Sequence, residues 1–174
     1  NDNLRMALKM IDVSELDVKS KSIKEGLSKT KHPGRMEQVS ENPLVVLDGA
    51  HNPSKIEALV NSLGDFFPGE FAFVFGVMKD KNVEPMLRKL ANKGKRFYLT
   101  KVDYHRSMEP EKIGDILSRI DNGVSYEVAK DSGEALTKAI ERGEKRICGT
   151  GSLYIAGYLR SLYHEPVVRD NHSF

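Results

Sequence analysis

The chain has one cysteine, Cys148, and that single thiol excludes an internal disulfide and any metal site built from several cysteines. It sits in Arg146-Ile147-Cys148-Gly149, where it reads as a small buried hydrophobe at the end of a strand rather than a nucleophile. Long apolar runs are also lacking. None approaches the roughly 20 residues that a membrane span needs. The opening Asn1-Asp2-Asn3-Leu4-Arg5 has no apolar core behind a basic start, so it is not a signal peptide. Nor does one sign of charge dominate. There are 27 basic and 25 acidic side chains, a net charge of +2, whereas nucleic-acid binding needs a concentrated basic face. The Lys-rich segment from Lys19 to Lys31, whose one acid is Glu25, reads as a solvated helix face or linker. The histidines at 32, 51, 105, 164 and 172 are scattered, without the spacing of a metal centre. No Gly-rich loop is followed by the Lys that a phosphate-binding loop requires. Internal repeats and low-complexity segments are absent. The expectation is a cytoplasmic monomer that binds neither membrane nor nucleic acid.

What is present is enough material for one ordinary domain: 174 residues, 39% hydrophobic and 30% charged. Residues 3–12 place Leu4, Ala7, Leu8 and Ile11 on one helical stripe, and 20–29 can form a second short helix with Ile23 and Leu27. Pro33-Gly34 is a strong break. Beyond it the pattern alternates. Strand-like runs fall at 36–39, 44–47, 71–77, 96–102, 125–129 and 146–148, and helical patterns at 53–64, 82–92, 110–121, 131–142 and 152–163. Such alternation predicts an α/β fold, a six-stranded, mostly parallel sheet with helices on both faces. The first strand is joined to the second only by Glu41-Asn42-Pro43, which makes it one antiparallel edge strand.

The densest chemistry lies in Pro43-Leu-Val-Val-Leu-Asp-Gly-Ala-His-Asn-Pro53. The uninterrupted apolar run suits a strand buried on both faces. Asn52 is a good N-cap and Pro53 suits the first helical position. Asp48 therefore falls at the carboxyl end of a strand and His51 in the turn before a helix, at the edge where open α/β sheets bind ligands. Asp48 is either a loop-capping acid or an acceptor for ribose hydroxyls. His51 beside a helix N-terminus suits a carboxylate or phosphate ligand. Arg35, held in a Pro-Gly turn, is a candidate for bidentate anion binding. Gly149-Thr150-Gly151-Ser152 follows a strand and opens a helix, so Ser152 and the helix-start N–H groups can take a carboxylate. Lys79, Asp80 and Lys81 are salt-linked helix-start residues or cleft residues, and Arg106 has the same two readings.

Five motifs in order carry a family resemblance: Pro33-Gly34-Arg35-Met36-Glu37, Asp48-Gly49-Ala50-His51-Asn52-Pro53, Phe75-Gly76-Val77-Met78-Lys79-Asp80-Lys81, Tyr104-His105-Arg106 and Gly149-Thr150-Gly151-Ser152-Leu153-Tyr154. Across nearly its whole length the chain resembles the carboxyl-terminal portion of the folylpolyglutamate synthases, relatives of the Mur peptide ligases. The resemblance implies a Rossmann-like Mur ligase carboxyl-terminal domain at 31–174, preceded at 1–30 by the tail of an N-terminal ATPase domain and a linker. The lack of an initiating Met fits a piece of a longer protein. The resemblance further implies ATP-dependent addition of glutamate to folate through an acyl phosphate, with the Mg2+ ligands in the preceding domain and this chain inactive alone. It assigns Asn3, Arg35 and Asp48 to ATP and His51, Asn52 and Ser152 to glutamate, with no residue named as catalytic, while Lys79, Asp80 and Arg106 stay candidates for the cleft on the two readings above. Asp48→Ala and Arg35→Ala should then weaken ATP use with the fold intact. A dihydrofolate synthase and a non-catalytic nucleotide- or amino-acid-binding domain are the alternatives.

Overall fold

The computed structural model describes residues 2–14, 18–30, 32–94, 96–102, 104–120 and 123–163, without the side chains of residues 2–4 and 28. The chain divides into two compact units, Asn1–His32 and Pro33–Phe174. In the first, α1 (Asp2–Val13) and α2 (Ser20–Lys29) form an apolar groove from Leu8 and Ile11 of one helix and Ile23 and Leu27 of the other.

The second unit runs β1 (Glu37–Glu41), β2 (Leu44–Leu47), α3 (Pro53–Phe66), β3 (Ala72–Phe75), α4 (Val83–Ala91), β4 (Arg96–Leu99), α5 (Pro110–Ile120), β5 (Ser125–Val128), α6 (Ser132–Glu141), β6 (Arg146–Thr150) and α7 (Leu153–Ser161). The sheet has six strands in the order β1-β2-β6-β3-β4-β5. Only the β1–β2 pair is antiparallel. The last strand thus enters the middle, pairing through Val46 with Cys148 on one side and Phe73 with Cys148 on the other.

Side-chain alternation divides the core between the two sheet faces. Val46, Phe73, Phe75, Phe97, Leu99 and Cys148 pack with α3, α4 and α5. Val45, Leu47, Val74, Tyr98 and Ile147 pack with α6 and α7. Strands buried on both faces read as continuous apolar runs, which is why β2 and β3 carry no alternation in the sequence. Each buried Phe of β3 contributes about 2–3 kcal/mol through apolar area removed from water.

The expected element types all occur, and the boundaries differ for local reasons. β1 begins at Glu37, because Met36 has φ of 47°, incompatible with a strand. Phe71 gives its N–H to Lys93, outside the ladder, and beyond Gly76 the chain leaves β3 for a loop. β6 continues through Gly149, where the Leu47 and Leu159 side chains occupy the space a Cβ would need.

Because β6 lies between β2 and β3, the α3 crossover passes it on one face and α6 returns on the other. This reversal opens a crevice at the carboxyl ends of β2, β6 and β3. Backbone bonds extend the ladders into it: Asp48 N–H to Gly149 at 3.0 Å and Gly151 N–H to Ala50 at 3.0 Å. Among the described residues, no helix is long and apolar enough to cross a membrane.

Candidate functional site

The turn that carries Arg35 is held by two acids. Glu37 accepts the Gly34 N–H at 2.7 Å and the Arg160 Nε–H of α7 at 2.9 Å. Asp48 accepts the Met36 N–H at 2.9 Å on one oxygen and the Ala50 N–H at 2.8 Å on the other. The Gly49 N–H closes the turn on the Gly34 carbonyl at 2.8 Å. Gly34 tolerates its φ of 66°, whereas Met36 at 47° costs about 1–2 kcal/mol in that region. The Asp48 bond offsets that strain. Asp48 is 8% exposed, and burial raises its carboxyl above the usual value. The bonds from Met36 and Ala50 and the charges of Arg35 and Lys55 oppose that rise. Asp48 is thus a loop clamp in this structure, with lone pairs left on both oxygens. Among the described residues, Arg35 and Lys55 have no carboxylate at ion-pair distance.

His51 is fixed at both ring nitrogens. Nδ1 lies 2.7 Å from the Gly49 carbonyl, which can only accept, so Nδ1 is assigned the proton. Nε2 is then the acceptor, 3.2 Å from Lys55 Nζ. Asn52 caps α3, its Oδ1 accepting the Lys55 N–H at 2.9 Å, with Pro53 opening the helix.

On the central strand, Gly151 has φ of 98° and turns the chain into α7. Ser152 caps that helix, its Oγ accepting the Tyr154 N–H at 3.2 Å, and is 4% exposed. Cys148 lies one turn of chain upstream, fully buried. Burial pushes its thiol well above the usual range, which is the setting of an inert core cysteine.

The loops after β3 and β4 bind each other through Lys79 N–H to Arg106 at 2.8 Å and Met108 N–H to Val77 at 2.9 Å. Asp80 bridges Lys81 Nζ at 2.8 Å and Arg106 Nη2 at 3.3 Å. The Lys81 bond, foremost, holds its carboxyl below the usual value. Lys79 turns aside to donate to the His105 carbonyl at 2.8 Å. The Tyr104 ring stacks on Tyr154 with centroids 5.7 Å apart.

These loops and turns enclose a cleft of about 220 Å³ walled by His51, Asp80, Lys81, Tyr104, Arg106 and Ser152, among others. Residues distant in sequence therefore meet on one wall-to-wall site. Arg35, Asp48 and Asn52 lie on the adjoining turns and do not line it. The backbone of Asn3 belongs to α1, and its side chain is outside the described residues, as are His164 and His172. Sequence reasoning missed Glu37 and Arg160, whose pairing across 123 positions leaves no local signal. It also missed Lys55, placed one helical turn after His51, and the Tyr104–Tyr154 stack. No group of three or more metal-capable side chains gathers among the described residues, so these residues do not fit a divalent ion by themselves.

Comparison with known proteins bears on the family and the fold. The model of the family described as Mur ligase, glutamate ligase domain, matches residues 34–152. A probable bifunctional folylpolyglutamate synthase/dihydropteroate synthase of Haloferax volcanii is 31% identical over 158 residues, covering 90% of this chain and 19% of that protein. The folylpolyglutamate synthase of Lacticaseibacillus casei is 30% identical over 148 residues, covering 84% of this chain and 33% of that protein. The chain thus spans a third or less of the length of these relatives. Among solved structures, the bifunctional folylpolyglutamate synthase/dihydrofolate synthase of Yersinia pestis, complexed with AMPPNP and Mn ion, superposes with a TM-score of 0.80 at 27% identity, over 90% of this chain and 37% of that one. The chain belongs to the Mur ligase family of glutamate ligase domains, in the form carried by folylpolyglutamate synthases.

Proposed function

We propose that this chain is the glutamate-binding domain of an ATP-dependent ligase that adds glutamate to folate through a γ-glutamyl amide. The observation that supports this best is the convergence of His51, Ser152 and Arg106 on one cleft at the carboxyl edge of the sheet, beside the turn that presents Arg35. A structure of a bifunctional folylpolyglutamate synthase/dihydrofolate synthase with Mn, AMPPNP and L-glutamate bound shares the fold, with a TM-score of 0.79 at 28% identity. In the proposed reaction ATP phosphorylates the folate γ-carboxylate and leaves as ADP. The glutamate amine then attacks the acyl phosphate carbon, the amide forms, and phosphate departs with loss of a proton from nitrogen.

Each part of the domain has a task in this scheme. Arg106 and the N-terminal end of α7, with Ser152, take the glutamate carboxylates. His51, whose Nε2 holds the Lys55 ammonium at 3.2 Å, walls the cleft with a paired cation behind it, which suits a glutamate carboxylate, and Asn52 holds the helix start beneath it. Asp80 orients Arg106, and Lys79 fixes the loop that carries it. Arg35 and Asp48 face the nucleotide. Catalysis comes from holding the reactants together and neutralising phosphate charge. The Mg2+ ligands and the phosphate-binding loop belong to a preceding domain of the same monomer, of which residues 1–30 are the tail and linker. Dihydrofolate synthase activity is the second reading, favoured by the bifunctional name of the Yersinia pestis neighbour. It uses the same cleft with a different acceptor.

Two measurements test the proposal. The purified 174-residue chain is expected to release no phosphate with ATP, folate and glutamate. Steady turnover by this chain alone would contradict the division of labour. In the enzyme that includes the ATP-binding domain, His51→Ala and Ser152→Ala should each raise the glutamate KM about tenfold, the loss of one charge-assisted contact. The ATP KM should stay near wild type. Equal effects on the two substrates would remove the assignment and favour a generic nucleotide-binding role.

A further inference from the structure

Arg35 is bracketed along the backbone by two carboxylates. Gly34 before it gives its N–H to Glu37 at 2.7 Å, and Met36 after it gives its N–H to Asp48 at 2.9 Å. Both flanking residues hold positive φ, 66° at Gly34 and 47° at Met36. A stretch of this kind keeps its shape only where its surroundings hold it. The Arg35 side chain is exposed and, among the described residues, has no carboxylate at ion-pair distance. Its aim is therefore set by the backbone that carries it.

The two anchors differ. Asp48 is buried at the end of β2, and each of its oxygens accepts a backbone N–H. Glu37 opens the edge strand β1, and its carboxylate is oriented from α7. Arg160 Nε lies 2.9 Å from one oxygen and 3.1 Å from the other, the one that accepts the Gly34 N–H. An arginine in the last turn of a helix ordinarily serves the carbonyls of that helix end. This one reaches instead to a carboxylate 123 positions away. Two further residues of α7 hold the same region. A Cβ on Gly34 would lie 3.5 Å from the Ala156 Cβ, and the Leu153 side chain fills the space a Cβ on Gly49 would need. Leu153, Ala156 and Arg160 are spaced as one helical face. Of the three, Arg160 alone acts on the N–H that precedes Arg35, through Glu37.

We propose that Arg160 is a positioning residue for nucleotide binding, which acts through Glu37 to fix the turn from which Arg35 reaches ATP. This rests on the reading that Arg35 faces the nucleotide.

The test has two arms. In the enzyme that includes the ATP-binding domain, Arg160→Met, which keeps the apolar stem and removes the donors, should raise the ATP KM about fivefold, as befits a partly exposed pair acting at one remove. The glutamate KM should stay near wild type, and Arg160→Lys, which keeps the charge, should recover part of the loss. In an Arg35→Ala background, Arg160→Met should add less than about twofold, because residues that act through one another are not additive. In the 174-residue chain, Arg160→Met should speed amide hydrogen exchange at Gly34 about tenfold, with much less change at Phe73 and Cys148 in the central strands. A wild-type ATP KM in Arg160→Met overturns the proposal. So does a rise that persists undiminished without Arg35, or exchange that quickens equally at Gly34 and Cys148, since each would make Arg160 a support of the whole fold. Failure of the underlying reading looks different: Arg35→Ala alone would then leave the ATP KM unchanged, and unaltered Gly34 exchange would separately remove the role of Arg160 in holding the turn.

Discussion

Asp48→Ala is expected to destabilise the chain by about 3 kcal/mol, because it removes an acceptor shared by two backbone N–H groups in a buried turn. The Met36 and Ala50 N–H groups lose their partner together, and Met36 loses the bond that holds it at positive φ. The cost of burying the carboxylate, visible in its raised pKa, limits the loss to less than two full charged hydrogen bonds. Arg35→Ala should behave differently. Arg35 is exposed and has no ion pair among the described residues, so stability should change by no more than about 0.5 kcal/mol. In the enzyme with its ATP-binding domain, both variants should lose roughly tenfold to hundredfold in ATP use, the equivalent of about 1.5–3 kcal/mol. Urea unfolding of the chain and steady-state kinetics of the enzyme read the two effects separately. A stable Asp48→Ala chain would show that the clamp is incidental. Wild-type ATP kinetics in both variants would refute the nucleotide assignment. The sequence alone predicts an intact fold for both, and it is the hydrogen bonding of Asp48 that separates them.

That difference shows what the sequence can and cannot express. The alternation of apolar runs with helical stripes suffices for the α/β class, because burial on both faces forces that composition on β2 and β3. The short link through Asn42-Pro43 suffices for the antiparallel edge. The strand order is different. Nothing local in Arg146–Thr150 says that the last strand enters between the second and third. Position in a sheet follows from which faces the crossover helices cover, a property of the whole chain. The site divides the same way. His51 and Ser152 are legible because strand end, cap residue and glycine turn are adjacent in sequence. Glu37 and Arg160 are not, because each looks like an ordinary surface charge until α7 lies beside the Pro-Gly turn. Lys55 carries no motif, and its relation to His51 depends on α3 beginning at Pro53.

The central turn makes the second large prediction. Gly151→Ala should cost about 4 kcal/mol, combining strained backbone with a collision in a packed turn. Gly151 has φ of 98°, and a Cβ there would run into the Gly76 carbonyl oxygen and approach the Phe75 ring to 2.8 Å. Neither neighbour can yield cheaply: Gly76 is part of the chain leaving β3, and Phe75 is fully buried between the sheet and its helices. Gly143 separates the two causes. Its φ is 81°, its N–H bonds Ile140 at 2.9 Å in the turn after α6, and a Cβ there would meet nothing within 4 Å. Gly143→Ala should therefore cost only the backbone strain, about 1 kcal/mol. Urea unfolding of both variants measures the difference. Equal costs would mean that the turn relaxes around a methyl group and that close packing at Gly151 is not what fixes it. A larger cost at Gly151 would mean that Ser152 is held by packed backbone, so the same substitution in the enzyme should raise the glutamate KM at temperatures where the fold survives.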